Sequence, residues 1–361
     1  MTKLWIPGPT EVRPEILAEL ARPMIGHRSP AMTELIESLD PGLGQAFGLW
    51  DDTTARVGVG THSATAMMEA SLHGAGQRIL CIAGGAFARR WHQIAERLGK
   101  DTRLFEVEPG KLLDDVHLAD VLDREGPFDA VTLVVNETST GVCTPIQHVS
   151  NVLQAFPDTL LLCDVVSYLA GGPVEFDEYC LGLAFAGVNK ALALPPGITV
   201  FCVSEDYVER AESEPRPSWY LDPLRTLEGH EARRTPTTPA IPHYRALARQ
   251  LADIETEGWD ARFERHARMR ARTLEWAAGH GLAPFPEEAA QSPTVSCIDA
   301  AGLDVAAFVQ GLKDKGFEIS NGYGDLKGKT FRIGHMGDHS EADLETLLSA
   351  ADEVLAGLKG S

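Results

Sequence analysis

The stretch that says most about fold and chemistry is Gly187-Val188-Asn189-Lys190-Ala191-Leu192-Ala193-Leu194-Pro195-Pro196-Gly197. Lys190 is one of the few cations in a long apolar region, and the apolar run 183–185 precedes it. Because an ammonium group held against apolar walls loses hydration, its pKa falls and the neutral amine becomes a nucleophile that can condense with carbonyl compounds. A lysine that extends from a loop to solvent is the alternative for this residue taken alone.

The composition is typical of a globular protein of more than one domain. A chain of 361 residues is expected to form two domains, or one large and one small. The net charge of −20 argues against binding to nucleic acid or to anionic membranes. The sequence contains no run of about 18 apolar residues, so no membrane span is predicted. Its N-terminus lacks the apolar core of a signal peptide. The six scattered cysteines, without a Cys-x-x-Cys pair, indicate buried thiols in a reducing compartment, so a cytoplasmic location is predicted.

Short apolar runs alternate with helical periodicity between about residue 50 and residue 205. The apolar runs are continuous, which indicates strands of a sheet covered on both faces, and the alternation is typical of an α/β fold with a mostly parallel sheet. The predicted strands are 55–58, 79–83, 103–107, 130–135, 159–164 and 198–204, and the predicted helices are 63–73, 88–98 and 146–156.

The remainder of the chain has a different character. Five prolines within 214–239 predict a long loop, and helical periodicity follows over 241–280. A smaller α/β unit is then predicted, with strands at 294–298 and 329–334 and helices at 305–315 and 341–358. We therefore expect a large domain over 16–240 and a small C-terminal domain over 241–361, after an N-terminal segment, 1–15.

A hydroxyl-rich turn, His62-Ser63-Ala64-Thr65, lies between a predicted strand and a predicted helix. Backbone N–H groups at a helix start, with the hydroxyls of Ser63 and Thr65 beside them, form a site suited to a phosphate. A plain capped helix is the alternative. A dinucleotide-binding turn is disfavoured because the third glycine of that fingerprint is absent.

Asp164 ends an apolar strand, at the sheet edge where α/β proteins bind ligands. A buried carboxylate needs a partner, and the protonated ring nitrogen of pyridoxal phosphate (PLP) would supply one. Capping of the next turn is the alternative. Lys190 follows 26 residues later, which allows a crossover and one further strand, so a single PLP ring could contact both side chains.

Two further residues are candidates for ligand binding. Phe87 follows a predicted strand at this sheet edge and could stack on a planar ring, or it could be an ordinary core residue. Arg332, in an apolar strand near a glycine turn, suits bidentate binding of a carboxylate, with a structural salt bridge as the alternative.

Taken together, these segments resemble a known family. The chain is similar to fold-type-I PLP enzymes of the class V aminotransferase family, of the alanine–glyoxylate and serine–pyruvate aminotransferase type. The segments that carry the resemblance are 7–10, 24–30, 136–141, 164–167, 190–197, 235–239 and 331–338. The resemblance implies a large domain with a mostly parallel, seven-stranded sheet between helices, and a smaller C-terminal α/β domain.

The resemblance also implies roles for individual residues. Lys190 would bind PLP covalently, and Asp164 would pair with its ring nitrogen. The other implied cofactor contacts are Ser63, Ala64, Thr65, Phe87, Thr138, Ser167 and Asn189, together with Thr235 and Thr238 from the second subunit of a homodimer. Arg332 would bind the substrate carboxylate, while His27 and Pro9 would line the substrate entrance. Asn189 replaces the glutamine of many relatives, and Ala64 stands where many have glycine.

The implied reaction is a ping-pong transfer of an amino group between small molecules, without a metal. Alanine or serine would be the donor, and glyoxylate or pyruvate the acceptor. Alternatives on the same scaffold are pyridoxamine–pyruvate aminotransferase, aminoethylphosphonate aminotransferase or a PLP-dependent lyase. A desulfurase is disfavoured because Cys297 lies in a predicted strand rather than on a loop, and a metal hydrolase is disfavoured because no Glu lies between His335 and His339.

Overall fold

The computed structural model describes residues 2–359. Its N-terminal part consists of strand β1 (Lys3–Leu4) and the helices α1 (Pro14–Leu20), α2 (Pro30–Glu37) and α3 (Asp40–Phe47). Proline occupies the first turn of all three helices, where its missing N–H group costs no hydrogen bond. These helices were not predicted from the sequence.

The central part of the chain forms a seven-stranded sheet with helices on both faces. Its elements are β2 (Arg56–Gly60), α4 (Ala64–His73), β3 (Arg78–Ala83), α5 (Ala86–Arg97), β4 (Asp101–Glu106), α6 (Asp115–Glu125), β5 (Ala130–Val134), β6 (Asn136–Glu137), β7 (Val142–Cys143), α7 (Ile146–Leu153), β8 (Leu160–Asp164), β9 (Leu183–Gly187) and β10 (Thr199–Val203). The strand order is β2-β10-β9-β8-β5-β3-β4, and only β10 runs antiparallel to its neighbours within the described sheet. The predicted mostly parallel α/β fold is therefore confirmed.

Burial explains the continuous apolar runs of these strands. Every residue of β5, β8, β9 and β10 is buried. Alternate residues of each strand join two separate apolar clusters, one on each face of the sheet. A strand covered on both faces gains from apolar side chains at every position, which is why no period-two pattern is visible in the sequence.

The C-terminal part forms a second sheet with its own apolar core. It follows the helices α8 (Glu205–Ser213), α9 (Pro223–Glu231) and α10 (Ile241–Glu257), whose buried apolar residues join the two clusters on the central sheet. Its own elements are α11 (Trp259–Gly279), β11 (Ala283–Pro284), β12 (Val295–Asp299), α12 (Val305–Asp314), β13 (Phe317–Glu318), β14 (Ser320–Asn321), β15 (Thr330–Gly334) and α13 (Glu341–Lys359). The order β11-β12-β15-β14 is antiparallel throughout. Trp5 of the N-terminal segment is fully buried in this core, and β1 pairs with β13.

The structure corrects two element predictions. The predicted loop 214–239 contains α9, because Asp222 accepts the N–H of Arg225 at its start and Pro223 favours the first helical turn. The predicted helical segment 241–280 is two helices, since Gly258, with φ of +88°, ends α10 and begins α11.

The predicted domain boundaries at 15/16 and 240/241 stay predictions, and residues 1, 360 and 361 of the predicted domains lie outside the described residues. Within residues 2–359, no helix combines the length and the apolar character needed to cross a membrane.

Candidate active site

A cavity of about 520 Å³ lies where the parallel strands of the central sheet end. Strands β5, β8 and β9 run in the same direction, so their carboxyl ends meet at this edge. Nine of the predicted cofactor-binding residues line the cavity: Ser63, Ala64, Thr65, Phe87, Thr138, Asp164, Ser167, Asn189 and Lys190. Residues distant in sequence are therefore brought to one site.

Lys190 follows β9 and reaches back to the N-terminal segment. Its Nζ donates a hydrogen bond to the carbonyl oxygen of Pro7 at 2.6 Å. Gly8 lies so close that a Cβ atom there would come within 2.3 Å of the Lys190 Cδ atom. Burial lowers the pKa of the Lys190 amine to about 8, although the negative charge of Asp164 opposes this shift. The amine is thus partly neutral near neutral pH, as the sequence predicted.

Asp164 is the last residue of β8 and is buried. One carboxylate oxygen accepts the N–H of Val166 at 2.9 Å. Burial raises the pKa of this carboxyl to about 7; the Val166 hydrogen bond opposes the shift and the charge of Glu137 adds to it. The positive charges of Lys190 and Arg90 lower the pKa of Asp164 without a hydrogen bond to its carboxylate. A cationic ligand that donates a hydrogen bond would therefore stabilise the charged form of Asp164.

The start of α4 forms one end of the cavity. Ser63 precedes the helix, and its hydroxyl accepts the N–H of Ala66 at 3.3 Å. The first N–H groups of a helix have no partner within it, and they carry a partial positive charge. Gly187 allows close approach, because a Cβ there would lie 3.2 Å from the Cβ of Ala64. This end of the cavity therefore suits a phosphate.

Asn136 and Ser167 form a buried polar wall. The amide nitrogen of Asn136 donates to the carbonyl and the hydroxyl of Ser167 and to the hydroxyl of Thr294, at 2.8–3.0 Å. The amide oxygen of Asn136 is buried and has no hydrogen-bond partner among residues 2–359, and the residue lines the cavity. An unsatisfied buried acceptor is costly, so this wall is suited to a ligand that carries a donor. The residues present thus fit a polar, planar, phosphorylated group such as PLP.

Arg332 lies beside the cavity rather than on its lining. It is 7% exposed and donates to the carbonyl oxygens of Thr138 (2.9 Å) and Asn321 (3.0 and 3.1 Å). Burial lowers the pKa of its guanidinium. Within residues 2–359 no carboxylate forms an ion pair with Arg332, so the salt bridge considered as an alternative is absent from the described chain. The ring of Tyr323 lies 5.6 Å from its guanidinium carbon.

Besides Arg332, four predicted site residues do not line the cavity of this chain. Pro9 is exposed, although its neighbours Pro7 and Gly8 contact Lys190, and His27 is half-buried elsewhere. Thr238 is exposed, while Thr235 lines a separate groove together with Trp219 and Tyr220. The predicted contacts of Thr235 and Thr238 with the cofactor require a second subunit and stay predictions.

Two charged residues of the site were not predicted. Arg90 lines the cavity one helical turn after Phe87, and this spacing is the signal that could have identified it. Glu137 is buried and accepts the N–H groups of Phe87 (3.0 Å) and Ala88 (3.1 Å), as well as the N–H and hydroxyl of Ser139. It fixes the first turn of α5, which carries Phe87. No local pattern in the sequence links Glu137 to that turn.

The chain is similar to known aminotransferases. A family model described as "Aminotransferase class-V" matches residues 47–326. An uncharacterized aminotransferase of Methanocaldococcus jannaschii is 33% identical, over 98% of this chain and 93% of its own length. A serine–glyoxylate aminotransferase of Methylorubrum extorquens is 30% identical, over 98% and 90%. The crystal structure of an alanine–glyoxylate aminotransferase from Nostoc sp. superposes with a TM-score of 0.92 at 27% identity, covering 98% of this chain and 95% of that one.

Proposed function

This chain belongs to the class V aminotransferase family of PLP-dependent transaminases, and from that premise we propose that it moves an amino group from a small L-amino acid to a 2-oxo acid. Alanine or serine is the proposed donor, and glyoxylate or pyruvate the acceptor. The observation that carries the proposal is the placement of Lys190 and Asp164 on one cavity, beside an arginine without an acidic partner. Alternate use of the site by donor and acceptor gives ping-pong kinetics.

Different residues of the cavity are proposed to bind different parts of PLP. Ser63, Ala64 and Thr65 line the cavity at the start of α4 and would hold the phosphate, while Phe87 would stack on the ring. Asp164 holds a proton at the ring nitrogen, because a cation there stabilises the buried carboxylate. PLP, when bound, supplies the electron sink that makes removal of the substrate Cα proton possible. The polar wall containing Ser167, and the neighbouring Thr138 and Asn189, complete the proposed contacts.

Lys190 and Arg332 act on the substrate. Because its pKa is lowered to about 8, the amine of Lys190 can accept a proton from the substrate Cα and return it near neutral pH. Arg332 keeps its fork of N–H groups at a fixed position through the carbonyls of Thr138 and Asn321, and binds the α-carboxylate. Fixing that carboxylate orients the Cα–H bond for proton removal, which lowers the entropic barrier.

Two named relatives support the choice of substrates. The relative from Methylorubrum extorquens is named for serine and glyoxylate, and the Nostoc structure for alanine and glyoxylate. Tyr323 lies 5.8 Å from the ring of Phe87 and 5.6 Å from Arg332, so an aromatic side chain narrows the space next to the carboxylate site. That arrangement favours a small donor side chain.

The proposal includes a cytoplasmic homodimer with shared sites. Thr235 carries a buried hydroxyl without a hydrogen-bond partner, in a groove that also contains the exposed Trp219 and Tyr220. Exposed aromatic side chains of this kind are enriched at protein interfaces. Contact with a second copy would bring Thr235 and Thr238 to the partner's phosphate site. Acidic net charge and unpaired cysteines support the cytoplasmic location.

A panel of single-turnover reactions tests the function. The protein is loaded with PLP, mixed with alanine, serine, aspartate, pyridoxamine or 2-aminoethylphosphonate in turn, and followed by absorbance and by analysis of the oxo product. We expect alanine or serine to convert the bound cofactor fastest. Fastest conversion by pyridoxamine or by the phosphonate would contradict the proposed substrate class.

Lys190→Ala tests the assignment of the lysine. We expect loss of the PLP mass adduct that borohydride fixes in the wild type, and loss of nearly all turnover. Lys111→Ala is the control, because Lys111 is exposed and pairs with Glu287 far from the cavity. An adduct that persists in Lys190→Ala would refute the assignment.

A further inference from the structure

Arg90 is a cation of the cavity that neither of the proposed catalytic roles uses. It lies on α5, with its guanidinium carbon 4.9 Å from the ring centre of Phe87. One of its terminal nitrogens donates to the hydroxyl of Thr65 at 3.4 Å. Arg90 thus lies between the residue proposed to face the cofactor ring and the turn proposed to hold its phosphate.

The neighbouring arginine provides a contrast. Arg89 is exposed and pairs with Glu106 at 2.8 Å. Arg90 is half-buried and lines the cavity, and no carboxylate within residues 2–359 forms an ion pair with it. Asp164 and Lys190 line the same cavity, so a positive charge on Arg90 lies within one site with both groups. A guanidinium placed there without an anion retains donors for a ligand.

The surroundings select an anion as that ligand. The start of α4 contributes a partial positive charge next to the Thr65 hydroxyl, and Arg90 adds a full charge at the same end of the cavity. A helix start and a guanidinium that forms no ion pair within residues 2–359 together favour a bound anion with several acceptor oxygens. A phosphate monoester has this charge and number of acceptors, and guanidinium groups bind it with two parallel hydrogen bonds.

We propose that Arg90 binds the phosphate of the cofactor, so that the anion subsite consists of the first turn of α4 and a guanidinium from α5. This inference rests on the proposed function, since it assumes that the ligand is PLP. It adds to the proposed phosphate site a residue from a second helix. The competing possibility is that Arg90 only supports the Phe87 ring through a cation–π contact.

The comparison of PLP with pyridoxal, which lacks the phosphate, separates these possibilities. Affinities are measured by fluorescence titration of the apo protein for the wild type, Arg90→Gln, Arg90→Lys and the matched control Arg89→Gln. We expect Arg90→Gln to weaken PLP binding by about 10- to 100-fold and to leave pyridoxal binding within about twofold. Arg90→Lys should recover part of the affinity, because it keeps the charge but not the fork. Arg89→Gln should bind both ligands as the wild type does.

Inorganic phosphate provides a readout that needs neither cofactor nor turnover. It should raise the thermal midpoint of the apo wild type and of Arg89→Gln, and should have much less effect on Arg90→Gln. Equal losses of PLP and pyridoxal affinity in Arg90→Gln would assign Arg90 to ring support and overturn the proposal. Unchanged PLP affinity in this variant would overturn it as well. A wild-type protein that binds no PLP would overturn the proposed function itself.

Discussion

Lys190 and Asp164 are ionisable groups of opposite sign whose pKa values burial shifts towards each other. The lysine falls to about 8 and the aspartate rises to about 7. Each group is therefore less stable in its charged form than it would be in water. In the apo protein the site costs folding free energy, and a ligand that supplies a cation to Asp164 offsets that cost.

Asp164→Asn is expected to stabilise the apo protein in a pH-dependent way. The pKa of Asp164 in the folded state, about 7, lies above the unfolded value of about 3.9. Its contribution to stability is therefore complete below about pH 4 and is lost as the pH rises to about 7. The free energy of unfolding of Asp164→Asn should therefore increase relative to that of the wild type by roughly 2 kcal/mol between about pH 5.5 and pH 8. Loss of attraction to Lys190 opposes this gain only in part, because the pKa of Asp164 is raised despite that attraction.

Chemical denaturation of both apo proteins at several pH values measures this difference. Saturation with PLP is the internal control, since the asparagine cannot hold a proton at the ring nitrogen as a carboxylate does. With PLP bound, the wild type should therefore be more stable than Asp164→Asn. An apo variant that is less stable than the wild type at pH 8 would contradict the assignment.

Arg332→Gln is expected to weaken binding of the amino donor while PLP still binds. Loss of a charge-assisted, bidentate contact should raise KM for alanine or serine by about 10- to 100-fold. Arg332→Lys should recover only part of this effect, because an ammonium group cannot reproduce the fork. Steady-state kinetics of both variants measure the change. An unchanged KM would show that the true substrate lacks an α-carboxylate.

The limits of prediction from sequence at this scale are set by contacts between distant segments. Lys190 and Asp164 were identifiable because a charged group in an apolar run is unusual wherever it lies. Glu137 and Tyr323 were not identifiable in this way. Glu137 contacts a turn 50 residues earlier in the chain, and Tyr323 lies beside Phe87, which is distant from it in the sequence. For Arg90, the sequence offered two adjacent arginines, and only the spacing of one helical turn from Phe87 distinguishes Arg90 from Arg89.

At the scale of elements, the N-terminal segment is part of the site. The carbonyl of Pro7 accepts from the Lys190 amine, and the N–H of Thr10 donates to the carbonyl of Asn189 at 3.1 Å. Trp5 is held in the core of the C-terminal sheet. The segment therefore links the lysine to the part of the chain that carries Arg332.

Gly8→Ala is expected to displace this segment from the lysine. Gly8 has φ of +120°, and an added Cβ would lie 2.3 Å from the Lys190 Cδ atom. Both strain and collision should slow covalent attachment of PLP and lower turnover by about tenfold or more, as small misplacements of catalytic groups do. The rate of PLP attachment, followed by absorbance, measures this effect.

Gly281→Ala is the matched control, because Gly281 has φ of +74° with no atom within 4 Å of an added Cβ. It should cost about 1 kcal/mol of stability from backbone strain and leave attachment unchanged. Similar attachment rates in the two variants would show that the Gly8 contact has no role in placing the lysine.

The errors among the predicted elements have local causes. The prolines of 214–239 indicated a loop, but Pro223 lies where a helix tolerates proline, so α9 forms within that segment. The boundary between α10 and α11 at Gly258 was not predicted, because helical periodicity is present both before and after this single glycine. Strands β3, β5 and β8 were predictable because burial on both faces leaves a continuous apolar run.

At the scale of the whole molecule, the α/β class followed from the alternation of elements, whereas the direction of β10 did not. An apolar strand buried on both faces has the same pattern whether it runs parallel or antiparallel to its neighbours. Because β10 runs antiparallel to β9, its first residue, Thr199, lies opposite Gly187 at the end of β9. The segment between the two strands therefore stays at the cavity, where Pro196 and Ile198 also line it.

The proposed homodimer with shared sites predicts complementation between two defective chains. Lys190→Ala is co-expressed with the double variant Thr235→Val/Thr238→Val, and the mixed dimer is purified through two different tags. If the threonines serve the partner's site, one site of the mixed dimer carries both defects and the other carries none. We expect about half of wild-type activity per dimer. Activity no higher than the mean of the two parent dimers would show that each site is built from one chain.

The position of β2 has a consequence for synthesis on the ribosome. β2 is an edge strand, and its neighbour in the sheet is β10, which is translated about 140 residues later. At typical elongation rates this delay is on the order of 10 s. Throughout that interval β2 has no strand to pair with, and a chaperone that binds unpaired strands would protect the nascent polypeptide from aggregation. A chain released after Lys190 but before Thr199 would contain Lys190 and the start of α4, yet it would lack β10, the strand that pairs with both β2 and β9.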